Sequence, residues 1–334
     1  MPALPARSLV NAILSAIDAS GCGAAYLSSR MREHPRRIAI TLPDNRSISV
    51  WVYAWTLTHG GRTSLPHEYR IQMTSVSSPL GLNPNGETVL IGYEPDLRLF
   101  AGFDLSRHRT FTTGSPSVQV DINVVRQAIQ LGLSFDRKSN QEIAVGIRPD
   151  HLVDYILNAT ELHRFGRFTD TFRILNRVVN LEDVSEGEIQ PLAIPRRRIV
   201  ETVSRLSRSG NFRQCVMNAY GNRCSVTRAQ LRLVDAAHIL PVGSPGSSDD
   251  VRNGLALSPT YHRAYDAGLI YLNTNYEMRI NSERVTELRS LNLEGGLRGF
   301  QSHLGRINLP PDRQQWPNTA FIRQANRYRN IQTS

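Results

Sequence analysis

Hydrophobic and polar residues alternate in short runs through the first half of the chain, and their periods change from segment to segment. Residues 8 to 18 read as an amphipathic helix, and Arg36 to Leu42 as a short strand. The stretch SVWVYAWTLTH then sets Trp51, Tyr53 and Trp55 on one side and Val52 and Ala54 on the other, the period-two signature of a strand with an aromatic face. After a turn at Gly60-Gly61, EYRIQMTSV alternates again with Tyr69, Ile71 and Met73 on one face. ETVLIGYEP and LRLFAGFDL are short apolar runs of the kind sheets bury, and turns such as LNPNG separate the segments. SVQVDINVVRQAIQLGL carries Val120, Ile122, Val125, Ile129 and Leu131 at roughly helical spacing, and HLVDYILNATELHRF reads as another helix. The pattern predicts an N-terminal domain of the α+β class built on a mixed α/β sheet.

The acidic-to-basic segment LEDVSEGEIQPLAIPRRRIVE has two prolines and no clear apolar period. It reads as a linker over 181–198, between a domain at 1–180 and a second at 199–334. The second begins with a basic amphipathic helix, VETVSRLSRSGNFRQCVMNAYG, ending near Gly221. No internal repeat or low-complexity tract interrupts this plan.

The composition of 334 residues, 40% hydrophobic and 20% charged, suits a globular protein of about two domains. A formal net charge of +10 points to a polyanionic partner. Lys138 is the sole lysine, so the charge is arginine; GC-rich codon usage explains this as well as selection for bidentate phosphate and guanine contacts does. Cys22, Cys215 and Cys224 have no CxxC spacing and cannot form a four-thiolate zinc site. With no signal-peptide core and no apolar run long enough to span a bilayer, the expected setting is cytoplasmic, with no membrane partner.

The chemistry is concentrated between Val234 and Tyr271. There the chain runs DAAHI, a Gly/Ser/Asp-rich loop, NGLAL and HRAYDAGLI. Cys224 to Val226 and Leu233 to His238 read as two strands paired through a turn, and Pro259 starts a short helix with His262 and Asp266 one turn apart. Fifteen residues separate His238 from Asn253 and nine separate Asn253 from His262. Phosphodiester hydrolysis needs a base for water, a cation to stabilise developing charge, and a group that fixes the base.

These three segments, in this order, resemble the HNH endonuclease family in the branch found in bacterial restriction enzymes, over about residues 212–285. The resemblance implies a ββα-metal nuclease domain. His238 would be the general base, Asn253 the organiser and His262 a metal ligand, with Asp235 the expected carboxylate ligand and Asp266 a support for His262. Many members carry an acidic residue or histidine directly before the base, where this chain has Ala237; Asp235 lies on the same strand face by period two. The implied cofactor is a divalent metal, Mg²⁺ first, with Mn²⁺, Ni²⁺ or Zn²⁺ as alternatives. The implied substrate is double-stranded DNA, cut by a homodimer or by two successive nicks. The family's four-cysteine zinc is missing, and Cys224 reads as a small core residue.

A nuclease core of this size leaves target choice to the N-terminal domain. Expected phosphate contacts are Arg196, Arg197, Arg198, Arg205, Arg208 and Arg213 around the basic helix, with Arg62 and Arg70 as donors to the target in the N-terminal domain. The aromatic strand could stack a flipped base but reads more simply as core. Leu309, Trp316 and Phe321 are expected to pack the C-terminal stretch back onto the nuclease. A restriction enzyme for a specific or modified site leads the readings; a nonspecific nuclease effector of a defence or toxin system, and a DNA-binding protein with an inactive nuclease fold, are the alternatives.

Overall fold

A computed structural model describes residues 3–112, 114, 116–231 and 233–331. The chain divides into two compact units, Met1–Gly210 and Asn211–Ser334.

The first unit contains, in order, α1 (Ala6–Ala19), β1 (Gly23–Tyr26), β2 (Arg36–Thr41), β3 (Ser47–Thr56), β4 (Thr58–His59), β5 (Glu68–Gln72), β6 (Gly86–Glu94), β7 (Leu99–Phe103), α2 (Leu105–His108), β8 (Ser117–Asp121), α3 (Ile122–Leu131), β9 (Leu133–Arg137), β10 (Ile143–Ile147), α4 (Leu152–Gly166), α5 (Thr169–Val179) and α6 (Glu186–Ile189). Helix α7 (Ile194–Ala219) begins here, and the division between units falls within it. Seven strands form a mixed sheet in the order β1-β2-β3-β6-β7-β10-β9, with β3 and β6 parallel and the other neighbours antiparallel. A smaller antiparallel sheet runs β4-β5-β8.

Both faces of the large sheet are covered, which explains its near-continuous apolar runs. One face buries Val52, Ala54, Val89, Ile91 and Phe100 under α1, α4, α5 and the start of α7. The other buries Tyr53, Trp55, Leu90, Ala101 and Phe103 against the small sheet and the start of α3. The aromatic strand is therefore core: Tyr53 donates to Gly81 O at 3.1 Å and the Trp55 indole donates to Thr74 O at 3.3 Å. Trp51, half-buried, lies 5.1 Å under the Arg37 guanidinium.

The segment expected as one helix after residue 117 is a strand and then a helix. Ser117–Asp121 pairs with β5 through alternating buried Val118 and Val120, and the Asp121 carboxylate then accepts from Asn123 N at 2.8 Å to cap α3. The helical spacing read across this boundary joined one strand residue, Val120, to a helix face.

The second unit contains β11 (Asp235–His238), β12 (Gly254–Leu257), α8 (Pro259–Asp266), β13 (Ile270–Leu272), β14 (Glu277–Ile280), α9 (Ser282–Ser290), α10 (Leu297–Gln301), β15 (Gly305–Arg306) and α11 (Thr319–Tyr328). The strand expected at Cys224–Val226 is instead a turn, closed by Cys224 N to Ala229 O and Arg228 N to Cys224 O, both 2.9 Å. The partner of β11 is β12, the fully buried NGLAL run, with His238 opposite Gly254. Cys224 is buried in the core, as expected of a small apolar residue. Leu309 and Phe321 pack against that core, and the Trp316 ring meets Tyr276 edge-on at 5.6 Å. Among the described residues no helix is long and apolar enough to cross a membrane.

Burial tunes two histidines of the first unit. His163 donates from Nδ1 to Ile143 O at 3.0 Å, so its Nε2 accepts from the Tyr155 hydroxyl at 2.9 Å, and desolvation pulls its pKa down to about 4. Burial beside Arg36 pulls His34 to about 3. Both bind protons more weakly folded than unfolded, so stability falls as pH drops below the ordinary histidine value of 6.5, and the loss levels off below the folded values, about 4 for His163 and about 3 for His34. Thermal unfolding followed by tryptophan fluorescence should show a lower Tm at pH 5 than at pH 7. His163→Gln should narrow that difference; an unchanged difference would show that His163 does not titrate on unfolding.

Candidate active site

The site is built on one hairpin. Strand β11 supplies Asp235 and His238, the loop 239–253 returns the chain, and β12 leads directly into α8, which carries His262 and Asp266. Pro259 occupies the first turn of α8, where its missing N–H costs nothing. Helix α8 packs against both strands, with Tyr265 buried beneath Ile239.

Asn253 fixes the loop. Its carboxamide is fully buried: Oδ1 accepts from Leu240 N at 2.9 Å, and Nδ2 donates to Ser248 O at 2.9 Å and Leu240 O at 3.2 Å. Its backbone carbonyl also accepts from Ile239 N at 2.8 Å. Asn253 thus organises the backbone on either side of the loop, and its amide is wholly used by the protein.

His238 is gripped twice. Phe212, buried at the C-terminal part of α7, stacks on its ring at 3.7 Å between centroids and 12° between planes. The Asp249 carboxylate lies 3.0 Å from Nε2. A carboxylate can only accept, so Nε2 carries the proton and Nδ1 keeps its lone pair. The stack requires Gly254 opposite: a Cβ there would stand 2.2 Å from Val216 Cγ2 and 3.2 Å from Phe212. Below His238, Arg329 of the stretch after α11 donates to Ile239 O at 2.9 Å and lies over the Tyr265 ring at 4.5 Å.

The remaining expected residues are placed as follows. His262 Nε2 faces Asp266 Oδ2 at 3.4 Å, both partly open to solvent. Asp235 is paired with Arg213 at 2.9 Å. Among the described residues no three His, Cys, Asp or Glu side chains converge as a metal cage. Arg196 makes two 2.8 Å contacts to Asp170, and Arg197 donates to Gln190 O at 2.7 Å. Arg198, Arg205 and Arg208 are exposed and fall on one stripe of α7. Between β4 and β5, Arg62 stands 3.9 Å from Glu68, and Arg70 is half-buried on β5.

Residues 224–273 match the family model described as HNH endonuclease, the span that holds Asp235, His238, Asp249, Asn253, His262 and Asp266. This is an HNH endonuclease domain. The chain carrying it is a nuclease, a phosphodiester hydrolase, and HNH nucleases in general use a divalent metal ion. Residues 48–156 match a second family model, Methylase-associated X1. A solved structure described as "Modification dependent TagI restriction endonuclease" is matched at 12% identity over 85% of this chain and 81% of that chain, with a TM-score of 0.29. No curated protein matches the sequence.

Asp249, Phe212 and Arg329 escaped the sequence reading. Asp249 sits in the loop GSPGSSDD, where no period marks it, although a pair of aspartates just before the Asn253 motif was a signal that could have been followed. Phe212 was hidden in an ordinary helical pattern, and Arg329 among many arginines.

Replacing Asn253 tests the clamp. Asn253→Ala leaves buried Leu240 and Ser248 backbone groups without partners, at about 1–3 kcal/mol. Asn253→Asp should cost at least as much, since its carboxylate can satisfy Leu240 N but faces two carbonyl oxygens. Denaturant unfolding measures both; a change below about 0.5 kcal/mol in either would show that the loop does not depend on this side chain.

Proposed function

We propose that the chain is a metal-dependent endonuclease acting on double-stranded DNA within a restriction system, its N-terminal unit reading a specific or modified site. The observation that carries the catalytic half is His238 locked between Phe212 and Asp249, with no partner at Nδ1 among the described residues. A water takes position at Nδ1, loses its proton to that nitrogen and attacks phosphorus in line. The bond from phosphorus to the 3′ oxygen breaks, and the departing oxygen takes a proton from solvent. Asp249 stabilises the imidazolium that forms, and Asn253 positions the loop that carries Asp249.

A divalent ion fits a site of this kind if it keeps much of its water shell and takes the remaining ligands from phosphate, as Mg²⁺ does. His262 and Asp266 would hold it, because they face one another while Asp235 is engaged by Arg213. When bound, the ion supplies charge stabilisation at the phosphate and the leaving oxygen. One site cuts one strand, so a double-strand break takes a homodimer or two nicks. The exposed arginines Arg198, Arg205 and Arg208 supply phosphate contacts that position the duplex without reading its sequence. A domain described as methylase-associated next to a nuclease supports restriction, in which a methylase and a nuclease share one target.

Cleavage of unmodified, cytosine-methylated and adenine-methylated plasmids with Mg²⁺ tests this reading. Discrete fragments that depend on methylation or sequence support it, whereas a smear from all three substrates would point to a nonspecific effector. His238→Ala should abolish cutting while DNA binding persists. Asp249→Asn should lower kcat about 10- to 100-fold with little change in KM, as expected for a group that orients another. Wild-type cutting by His238→Ala would overturn the mechanism.

The choice of carboxylate is separable. Asp266→Asn should raise the Mg²⁺ or Mn²⁺ concentration needed for half-maximal cutting by tenfold or more, and Asp235→Asn should leave it within about threefold. The reverse ranking would return the ligand role to Asp235.

A further inference from the structure

The N-terminal unit has a cavity of about 470 Å³ that opens to solvent, within the usual range of about 300–1,000 Å³ for small-molecule sites. It lies where the beginning of β6 and the end of β7 meet the second half of α4. Tyr155, Ala159 and His163 recur every four residues on α4, so one stripe of that helix forms a wall. The wall approaches the sheet closely at Gly102, where a Cβ would stand 2.2 Å from the Tyr155 ring. Phe103 and the fixed Tyr155–His163 pair make this side rigid.

The charged groups of the cavity are of two opposed kinds, apart from Arg109, which donates to Leu80 O at 2.9 Å. Asp104, buried, spends Oδ1 on Ser106 N and Oγ at 3.0 and 2.6 Å, while Oδ2 has only the distant Arg107 Nε at 3.7 Å. Glu87 makes no ion pair among the described residues, and burial raises its carboxyl above the ordinary range. Against these, Arg164 and Arg167 line the cavity from exposed positions. Their guanidiniums lie over Phe165 and Phe168, at 5.2 and 5.4 Å, and neither makes an ion pair among the described residues.

This combination excludes simple ligands. A bare cation would meet the guanidiniums, a bare anion would meet two carboxylates, and an apolar molecule would leave both sets unanswered. What satisfies them is a molecule with N–H donors on a flat ring at one end and an anion at the other. We propose that this cavity binds a single nucleotide, the N–H groups of its base donating to Glu87 and Asp104 and its phosphate lying against Arg164 and Arg167. A free nucleotide and a base swung out of a duplex offer the same chemistry. In the second case the cavity is the place where the N-terminal unit reads the target of the proposed nuclease, and that half alone rests on the functional reading above.

Binding is measured on the full chain in EDTA, so that no cleavage contributes and a failed nuclease assay leaves the result intact. One arm titrates each of the four deoxynucleoside monophosphates by calorimetry. The other compares a matched duplex with duplexes carrying one mismatched or methylated base, which are easier or different to extrude. Saturable binding of a monophosphate, weakened tenfold or more both in Glu87→Gln and in Arg164→Gln/Arg167→Gln, supports the free nucleotide. At least tenfold preference for a mismatched or methylated duplex, lost in the same variants, supports the extruded base. Should Glu87→Gln fail to fold, the exposed arginine pair carries the test alone, since surface substitutions of this kind are well tolerated. No monophosphate binding together with equal affinity for all duplexes, or binding unchanged in the variants, overturns the proposal.

Discussion

The nuclease hairpin depends on a carboxamide to which water has no access. Between buried Leu240 and partly buried Val251 the loop runs PVGSPGSSDD, rich in Gly, Ser and Asp, and buries no apolar side chain, so packing alone does not give that stretch a shape. Asn253 supplies that shape by bonding to Leu240 on the way out and to Ser248 on the way back. The position of Asp249 follows, since it is the next residue after Ser248, and with it the proton on His238 Nε2. A buried amide thus sets the tautomer of an imidazole it does not touch. This is why asparagine suits the position: aspartate has the acceptor without the donors, and an apolar residue has neither.

Elsewhere in the second unit, space does what hydrogen bonds do in the loop. Gly254 allows α7 to come near enough for Phe212 to lie flat on His238, and Arg329 ties the backbone just after His238 to the C-terminal stretch. Residues well outside the recognisable motif therefore hold His238 in place. A nuclease domain cut to the motif boundaries would lose Phe212 and Arg329 together.

The sequence disclosed the order of chemical groups more completely than their partners. His238, Asn253 and His262 are legible because spacing along the chain survives folding, and the apolar runs of the first unit are legible because a sheet covered on both faces needs them. Contacts between distant segments leave no such trace. Nothing in the composition of DAAHI or NFRQC says that Asp235 and Arg213 will pair, and a two-residue shift in where α7 packs would have joined other partners. The boundary at Asp121 was missed for a related reason: Val120 satisfies a period of two with Val118 and a helical spacing with the residues after it, and only the cap at Asp121 decides between them. The strand misplaced at Cys224 shows the limit of local propensity, because a continuous apolar run, GLAL, was available to pair with β11 and outweighs it.

The arginine surplus divides in a way that charge counting cannot foresee. Arg196 and Arg213 are neutralised by Asp170 and Asp235, and Arg197 is spent on a backbone carbonyl, so half of the six arginines expected at the basic helix hold the protein together. At Asp170 one guanidinium nitrogen, Arg196 Nη1, spans both carboxylate oxygens at 2.8 Å. Arg198, Arg205 and Arg208 remain, one exposed stripe on a helix; none makes an ion pair among the described residues, and Arg208 makes one long contact, Nε to Ser204 O at 3.4 Å. A formal charge of +10 therefore overstates the phosphate contacts available from this segment. In the proposed contact with a duplex, the salt dependence contributed by this helix would follow from those three side chains rather than from the net charge of the chain.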